Sequence, residues 1–87
     1  MKWRVVFTTQ ALWDARKIRA AGLRSRAEKR LEVLQKNPFH NPPRFERLVG
    51  DLKGAYSRRI TVQQRLVYQV LEADRVVKVM RMWTYYE

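Results

Sequence analysis

The stretch Tyr56-Ser57-Arg58-Arg59-Ile60-Thr61-Val62-Gln63-Gln64-Arg65-Leu66-Val67-Tyr68-Gln69-Val70-Leu71 reads as a β-hairpin, with strands over 56–61 and 65–71. Side chains in a strand alternate between faces, so Ile60 must share the buried face with Leu66, Tyr68 and Val70. Arg59 and Arg65 then fall together on the opposite face, beside Ser57 and Val67, and this face is expected to stay open. Arg58 is left pointing toward the other side or a sheet margin. Two guanidiniums meeting on an exposed concave sheet suit a phosphate ligand, and salt bridging to nearby carboxylates is the competing use.

Working outward, the chain repeats the strand pattern on both sides of the hairpin. Ala73-Asp74 marks a turn into a strand over 75–83, and a turn over 51–54 precedes the hairpin after a strand over 44–49. At the amino end, 2–7 alternates Trp3, Val5 and Phe7 on one face. Thr8 or Thr9 caps a helix that runs from Gln10 toward Gly22. Ser25 with Glu28 has the capping-box spacing, and Leu23, Ala27, Leu31 and Leu34 follow at helical intervals to a stop near Asn37-Pro38. One strand, a two-helix antiparallel hairpin and a meander predict an α+β fold, with the helices on one face of a twisted, mainly antiparallel sheet. No repeat or linker interrupts it, so residues 1–87 are expected to form one domain.

Composition narrows the partners. The 87 residues carry 19 Lys plus Arg against 8 Asp plus Glu, a net charge of +11, which implies a polyanionic partner. Thirteen of the cations are Arg, whose planar fork grips phosphate and stacks on bases, so RNA fits better than a membrane. Arg16, Lys17, Arg19, Arg24, Arg26, Lys29 and Arg30 read as solvated helix faces. Apolar residues make up 46%, which is compatible with a folded core. There is no cysteine and His40 is the lone histidine, so neither a metal nor another cofactor is expected. Residues 1–7 lack the apolar run of a signal peptide, and a cytoplasmic location is expected. Trp3, Trp13 and Trp83 read as core or sheet-edge packing, although an exposed tryptophan would suit a partner's groove.

Taken together, Tyr56-Ser57-Arg58-Arg59-Ile60-Thr61 and Gln64-Arg65-Leu66-Val67-Tyr68 resemble the signature of the YoeB/Txe toxins of the RelE/ParE superfamily. Asn37-Pro38-Phe39, Phe45-Glu46-Arg47-Leu48, Leu52-Lys53-Gly54 and the aromatic end Trp83-Thr84-Tyr85-Tyr86-Glu87 extend the likeness over nearly the whole chain, most weakly in the first helix. The resemblance implies a RelE-like fold and a type II toxin that cleaves mRNA in the ribosomal decoding site without a metal. It also implies silencing by an acidic YefM/Phd-type antitoxin, operator DNA being reached only through that complex, and it allows a homodimer. Two other functions fit the fold: a ParE-like gyrase inhibitor, which needs neither Glu46 nor Arg65, and an RNA- or ribosome-binding module without catalysis.

Metal-free RNA cleavage needs a base for the 2′-hydroxyl, a cation for the phosphorane and an acid for the leaving 5′-oxygen. By resemblance Glu46 corresponds to the general base, Arg65 to the phosphate clamp, and Arg59 to a second cation supporting RNA or transition-state charge. From the residues alone, a carboxylate between Arg44 and Arg47 reads as an ion pair. Tyr86 matches the family's terminal tyrosine, suited to stacking on a base. The family carries a histidine where this chain has Tyr85, so either a tyrosine is the acid, as in RelE-type relatives, or the position is inactivating. His40 is the other side chain with a suitable pKa, and it reads as a loop residue without a role. Restoring the imidazole separates the two readings of Tyr85. Tyr85→His is expected to raise cleavage on the order of 10²-fold and Tyr85→Phe to lower it, measured as the rate of new mRNA ends on translating ribosomes.

Overall fold

The computed structural model describes residues 3–41, 44–48 and 54–83. Strand β1 (Arg4–Phe7) leads into helices α1 (Thr9–Ala20) and α2 (Arg24–Lys36), followed by strands β2 (Phe45–Arg47), β3 (Ala55–Arg59), β4 (Arg65–Leu71) and β5 (Val76–Arg81). The five strands form one sheet in the order β1-β5-β4-β3-β2. Every pairing is antiparallel except β1 with β5, which is parallel. The helical hairpin thus carries the chain from one edge of the sheet to the other, and β2 is the far edge.

Local chemistry explains most of these boundaries. The Thr8 hydroxyl accepts the Ala11 N–H at 3.1 Å, capping α1, and itself donates to the Met80 carbonyl of β5. Gly22 takes a φ of 74°, the left-handed conformation that reverses the chain between the helices. The capping box expected of Ser25 and Glu28 does not form. Helix α2 begins two residues earlier than that box implies, with Leu23 as a cap that makes no side-chain bond, and Glu28 instead pairs with Arg24 at 2.9 Å. The i, i+4 ion pair competes successfully for the carboxylate. Ala73 and Asp74 lie in a 3₁₀ turn, Glu72–Asp74, that ends on Arg75 at a φ of 52°. Only Gly54 of the turn expected over 51–54 falls within the described residues, and Val49 also lies outside them.

The core forms where helices and sheet meet. Trp3, Ala11, Ile18, Ala27, Leu34, Ile60, Leu66, Tyr68, Val77 and Val79 are buried in it, with Leu23, Leu31, Val70 and Trp83 packed against it. Ile60, Leu66 and Tyr68 share this face as their alternation requires. Trp3 also receives the Arg75 guanidinium over its ring, 4.7 Å from the centroid. Trp13 departs from the packing reading: with Leu12 it is more than half exposed on α1.

One buried charge was not visible in the chain pattern. Asp14 of α1 is fully buried and binds across to the end of the sheet, accepting from Arg81 Nε at 2.8 Å, from the Met82 N–H at 3.0 Å and from Gln10. Burial alone would raise its pKa, but the bonds from Arg81, Met82 and Gln10 outweigh that and hold the carboxyl below its usual 3.8. A depressed carboxyl pKa stabilises the fold above the unfolded value, and that stability is lost as pH falls through the folded value. Asp14→Asn is therefore expected to cost about 3–5 kcal/mol near neutrality and to flatten the loss of stability below about pH 4. Urea unfolding across that pH range measures both effects.

Candidate active site

The hairpin register places Arg59 and Arg65 together. Thr61 closes the loop, its hydroxyl accepting the N–H groups of Gln63 at 3.1 Å and Gln64 at 3.0 Å. Arg59 then stands opposite Arg65, Arg58 opposite Leu66, and Ser57 opposite Val67. On the other side of β3, Glu46 of β2 stands opposite Ser57 and Phe45 opposite Arg58. One row of cross-strand neighbours thus runs Glu46, Ser57, Val67, and the next holds Arg59 and Arg65. Continuing the register one residue past Phe45 puts Arg44 beside Arg59.

Glu46 and Arg65 meet across this face, with Oε1 and Nη1 3.0 Å apart. Their strands flank β3, roughly 10 Å from one to the other at the usual strand spacing, so the pair arches over β3. Ser57 of β3 is the cross-strand neighbour of Glu46 there. This corrects one expectation. The face is open at Arg59 and Glu46, but Ser57 and Val67 are buried, at 1% and 0% exposure. Among the described residues the Ser57 Oγ has no hydrogen-bond partner, a state that costs a buried hydroxyl roughly 1–3 kcal/mol.

A cavity of 320 Å³ opens beside Ser57, lined by Arg30, Arg44, Glu46, Ser57 and Arg59. Arg30, expected on a solvated helix face, instead reaches over from α2 and donates through Nε to the Arg59 carbonyl at 2.9 Å. Arg44 could have been found in the sequence, since it shares the parity of Glu46. Arg30 could not, because no local pattern tells which helical arginine meets a strand end. Tyr85 and Tyr86 lie outside the described residues. The described chain ends at Trp83, whose carbonyl accepts the Arg65 N–H at 3.1 Å. His40 is exposed, and its N–H donates to the Asn37 carbonyl.

Arg58 supports the site from below. It is fully buried, with Nε donating to the Tyr68 hydroxyl at 3.1 Å and Nη2 to the Pro38 carbonyl at 2.9 Å. Its guanidinium also lies 4.8 Å from the centre of the Phe45 ring, next to Glu46 on the edge strand. Tyr68 completes the triangle by donating to Pro38 at 2.9 Å. Burial raises the Tyr68 pKa, and the nearby Arg58 only partly offsets this, so the phenol remains a donor. The rings of Phe39, Phe45, Tyr56 and Tyr68 pack on one another at centroid spacings of 5.5–6.3 Å, mostly edge to face or tilted.

A family model described as the YoeB-like toxin of bacterial type II toxin–antitoxin systems matches residues 7–86. Among solved structures, the YoeB/ParE toxin from Agrobacterium tumefaciens is 26% identical with a TM-score of 0.84, the match covering 95% of this chain and 99% of that one. Staphylococcus aureus YoeB, solved in a heterotetrameric complex with YefM, is 25% identical with a TM-score of 0.80, over 99% of this chain and 100% of that one. The same toxin has also been solved as a dimer. Escherichia coli YafQ is 15% identical with a TM-score of 0.82, over 95% of this chain and 93% of that one, and shares the fold. No curated protein sequence matches.

The buried guanidinium gives the site a test of its own. Arg58→Met is expected to lower stability by about 1.5–3 kcal/mol, the worth of a hydrogen bond to a charged group. Arg58→Lys is expected not to rescue it, because an ammonium cannot reach Tyr68 and Pro38 while lying flat on Phe45. Chemical unfolding measures both, and a lysine form as stable as the parent would contradict the assignment.

Proposed function

Because the chain belongs to the YoeB-like toxins of bacterial type II toxin–antitoxin systems, we propose that it is a ribosome-dependent endoribonuclease that cuts mRNA without a metal. The observation that carries this reading is the Glu46–Arg65 pair on the sheet face, with Arg59 directly opposite Arg65. A base and a cation held 3.0 Å apart are what a phosphodiester next to a 2′-hydroxyl needs.

In this mechanism the Glu46 carboxylate takes the 2′-hydroxyl proton, and the 2′-oxygen attacks phosphorus. Arg65 turns from Glu46 to the phosphate and supports the charge gathering on its oxygens. Arg59, more exposed, holds RNA or shares that charge. The bond to the 5′-oxygen breaks, leaving a 2′,3′-cyclic phosphate, and Tyr85 gives that oxygen its proton. Trp83 hydrogen-bonds to Arg65 only two residues before Tyr85, which supports this assignment. Tyr86 stacks on a base.

A net charge of +11 supports an acidic YefM/Phd-type antitoxin as the partner, with exposed Leu12 and Trp13 offering it apolar contact. Among the described residues no helix is long and apolar enough to cross a membrane. Action on ribosomes places the protein in the cytoplasm.

The test maps new mRNA ends in a reconstituted translation reaction. Cuts are expected within the codon in the decoding site. Arg65→Ala should slow them on the order of 10²-fold or more, and Glu46→Gln should lower the rate with little change in ribosome binding. Gyrase inhibition that survives both substitutions would support the ParE-like alternative instead.

A further inference from the structure

Beside the paired Glu46 and Arg65 lies a cluster in which Arg30, Arg44 and Ser57 have no part in the cleavage steps. Three guanidiniums, from Arg30 on α2, Arg44 ahead of β2 and Arg59 on β3, line the 320 Å³ cavity with Ser57 and Glu46. That volume lies at the lower end of small-molecule sites. With three cations and one carboxylate, the lining carries a net charge of +2. Among the described residues the side chains of Arg44 and Arg59 have no acidic partner, while the one carboxylate in the lining is engaged by Arg65. The Ser57 hydroxyl is 1% exposed and, among the described residues, has no hydrogen-bond partner. An unpaired hydroxyl at that depth is a donor waiting for an acceptor, since natural folds satisfy nearly all such groups.

We propose that this cavity holds a second phosphate of the RNA, one link along the strand from the phosphate that is cut, with the buried Ser57 hydroxyl donating to it. Guanidiniums converging from three separate elements match the several oxygens of a phosphate, and a hydroxyl donor adds to them without adding charge. Glu46 borders both this cavity and Arg65, so a strand that lays one phosphate on Arg65 passes the other into the cavity. That the phosphate belongs to RNA rests on the nuclease reading, whereas the phosphate chemistry of the cavity does not.

The test measures binding, not cleavage, using the full chain and two uncleavable 2′-fluoro oligonucleotides. One is a trinucleotide with two phosphodiester links, and the other a dinucleotide with one. The unmodified protein is expected to bind the trinucleotide more tightly. Ser57→Ala should remove about 10-fold of that advantage, as should Arg44→Met, with dinucleotide binding unchanged. Arg44→Met should also reduce the slope of log affinity against log salt by about 0.7, the share of one contact to a single-stranded phosphate. Ser57→Ala should melt no lower than the parent, because its hydroxyl makes no bond to any described residue. Inorganic phosphate should weaken trinucleotide binding in the parent but not in Ser57→Ala. A trinucleotide advantage that persists in both variants overturns the proposal. So does Ser57-dependent binding of inorganic phosphate with no trinucleotide advantage, which would make this a site for a free anion. A chain that fails to cut mRNA on ribosomes yet keeps the Ser57-dependent advantage refutes the nuclease reading and leaves the cavity's ligand standing.

Discussion

A buried positive charge organises this protein. The Arg58 guanidinium has left water, which is tolerable only where hydrogen bonds and polarisable surface replace its hydration. The Tyr68 hydroxyl, the Pro38 carbonyl and the Phe45 ring supply that replacement. Each comes from a different part of the chain: the central hairpin, the end of α2, and the edge strand. Strand β2 has only three residues and pairs on one side alone, so sheet hydrogen bonds hold it weakly. The ring of Phe45 against Arg58 fixes it, and with it Glu46, the next residue.

The register that buries Arg58 also exposes Arg59. Adjacent strand residues face opposite ways, so one arginine becomes structure and the other surface. A one-residue slip in the β3–β4 hairpin would exchange them, turning a buried hydrogen-bonded triangle into a solvated one and breaking the convergence on Arg65. The buried triangle and the charged face are therefore two consequences of a single pairing. Exposed ion pairs contribute little to stability, and the Glu46 side chain is about half exposed at 54%. The pair's effect is positional: it holds a carboxylate and a guanidinium 3.0 Å apart on the open side of the sheet. On the other side of β4, the buried Asp14 with Arg81 fastens α1 to the end of β5.

Much of this architecture is legible in the amino-acid order because it is periodic. Alternation in 65–71 separates Leu66 and Tyr68 from Arg65, and helical spacing in α2 puts Ala27 and Leu34 on one side. The motif residues brought together, Glu46, Arg59 and Arg65, were identifiable from parity and resemblance. Other features were hidden. Ser25 and Glu28 have the spacing of a capping box, yet the carboxylate took Arg24, since two local options of similar strength compete and spacing does not rank them. Ser57 and Val67 belong to the face that alternation leaves open, yet they are buried.

The sequence by itself determined the strand and helix periods, the shared face of Arg59 and Arg65, the basic surface and the family. These depend on neighbours within a few residues, or on motifs read along the chain. Only the tertiary structure decided that Arg58 is buried against Phe45 and Tyr68, that Asp14 meets Arg81 across 67 positions, that Arg30 reaches the end of β3, and that Ser57 is buried without a hydrogen-bond partner among the described residues. Long side chains such as arginine have reach enough for several partners. Which partner each one finds depends on the packing of helices against the sheet, and that arrangement exists only once the whole chain has folded.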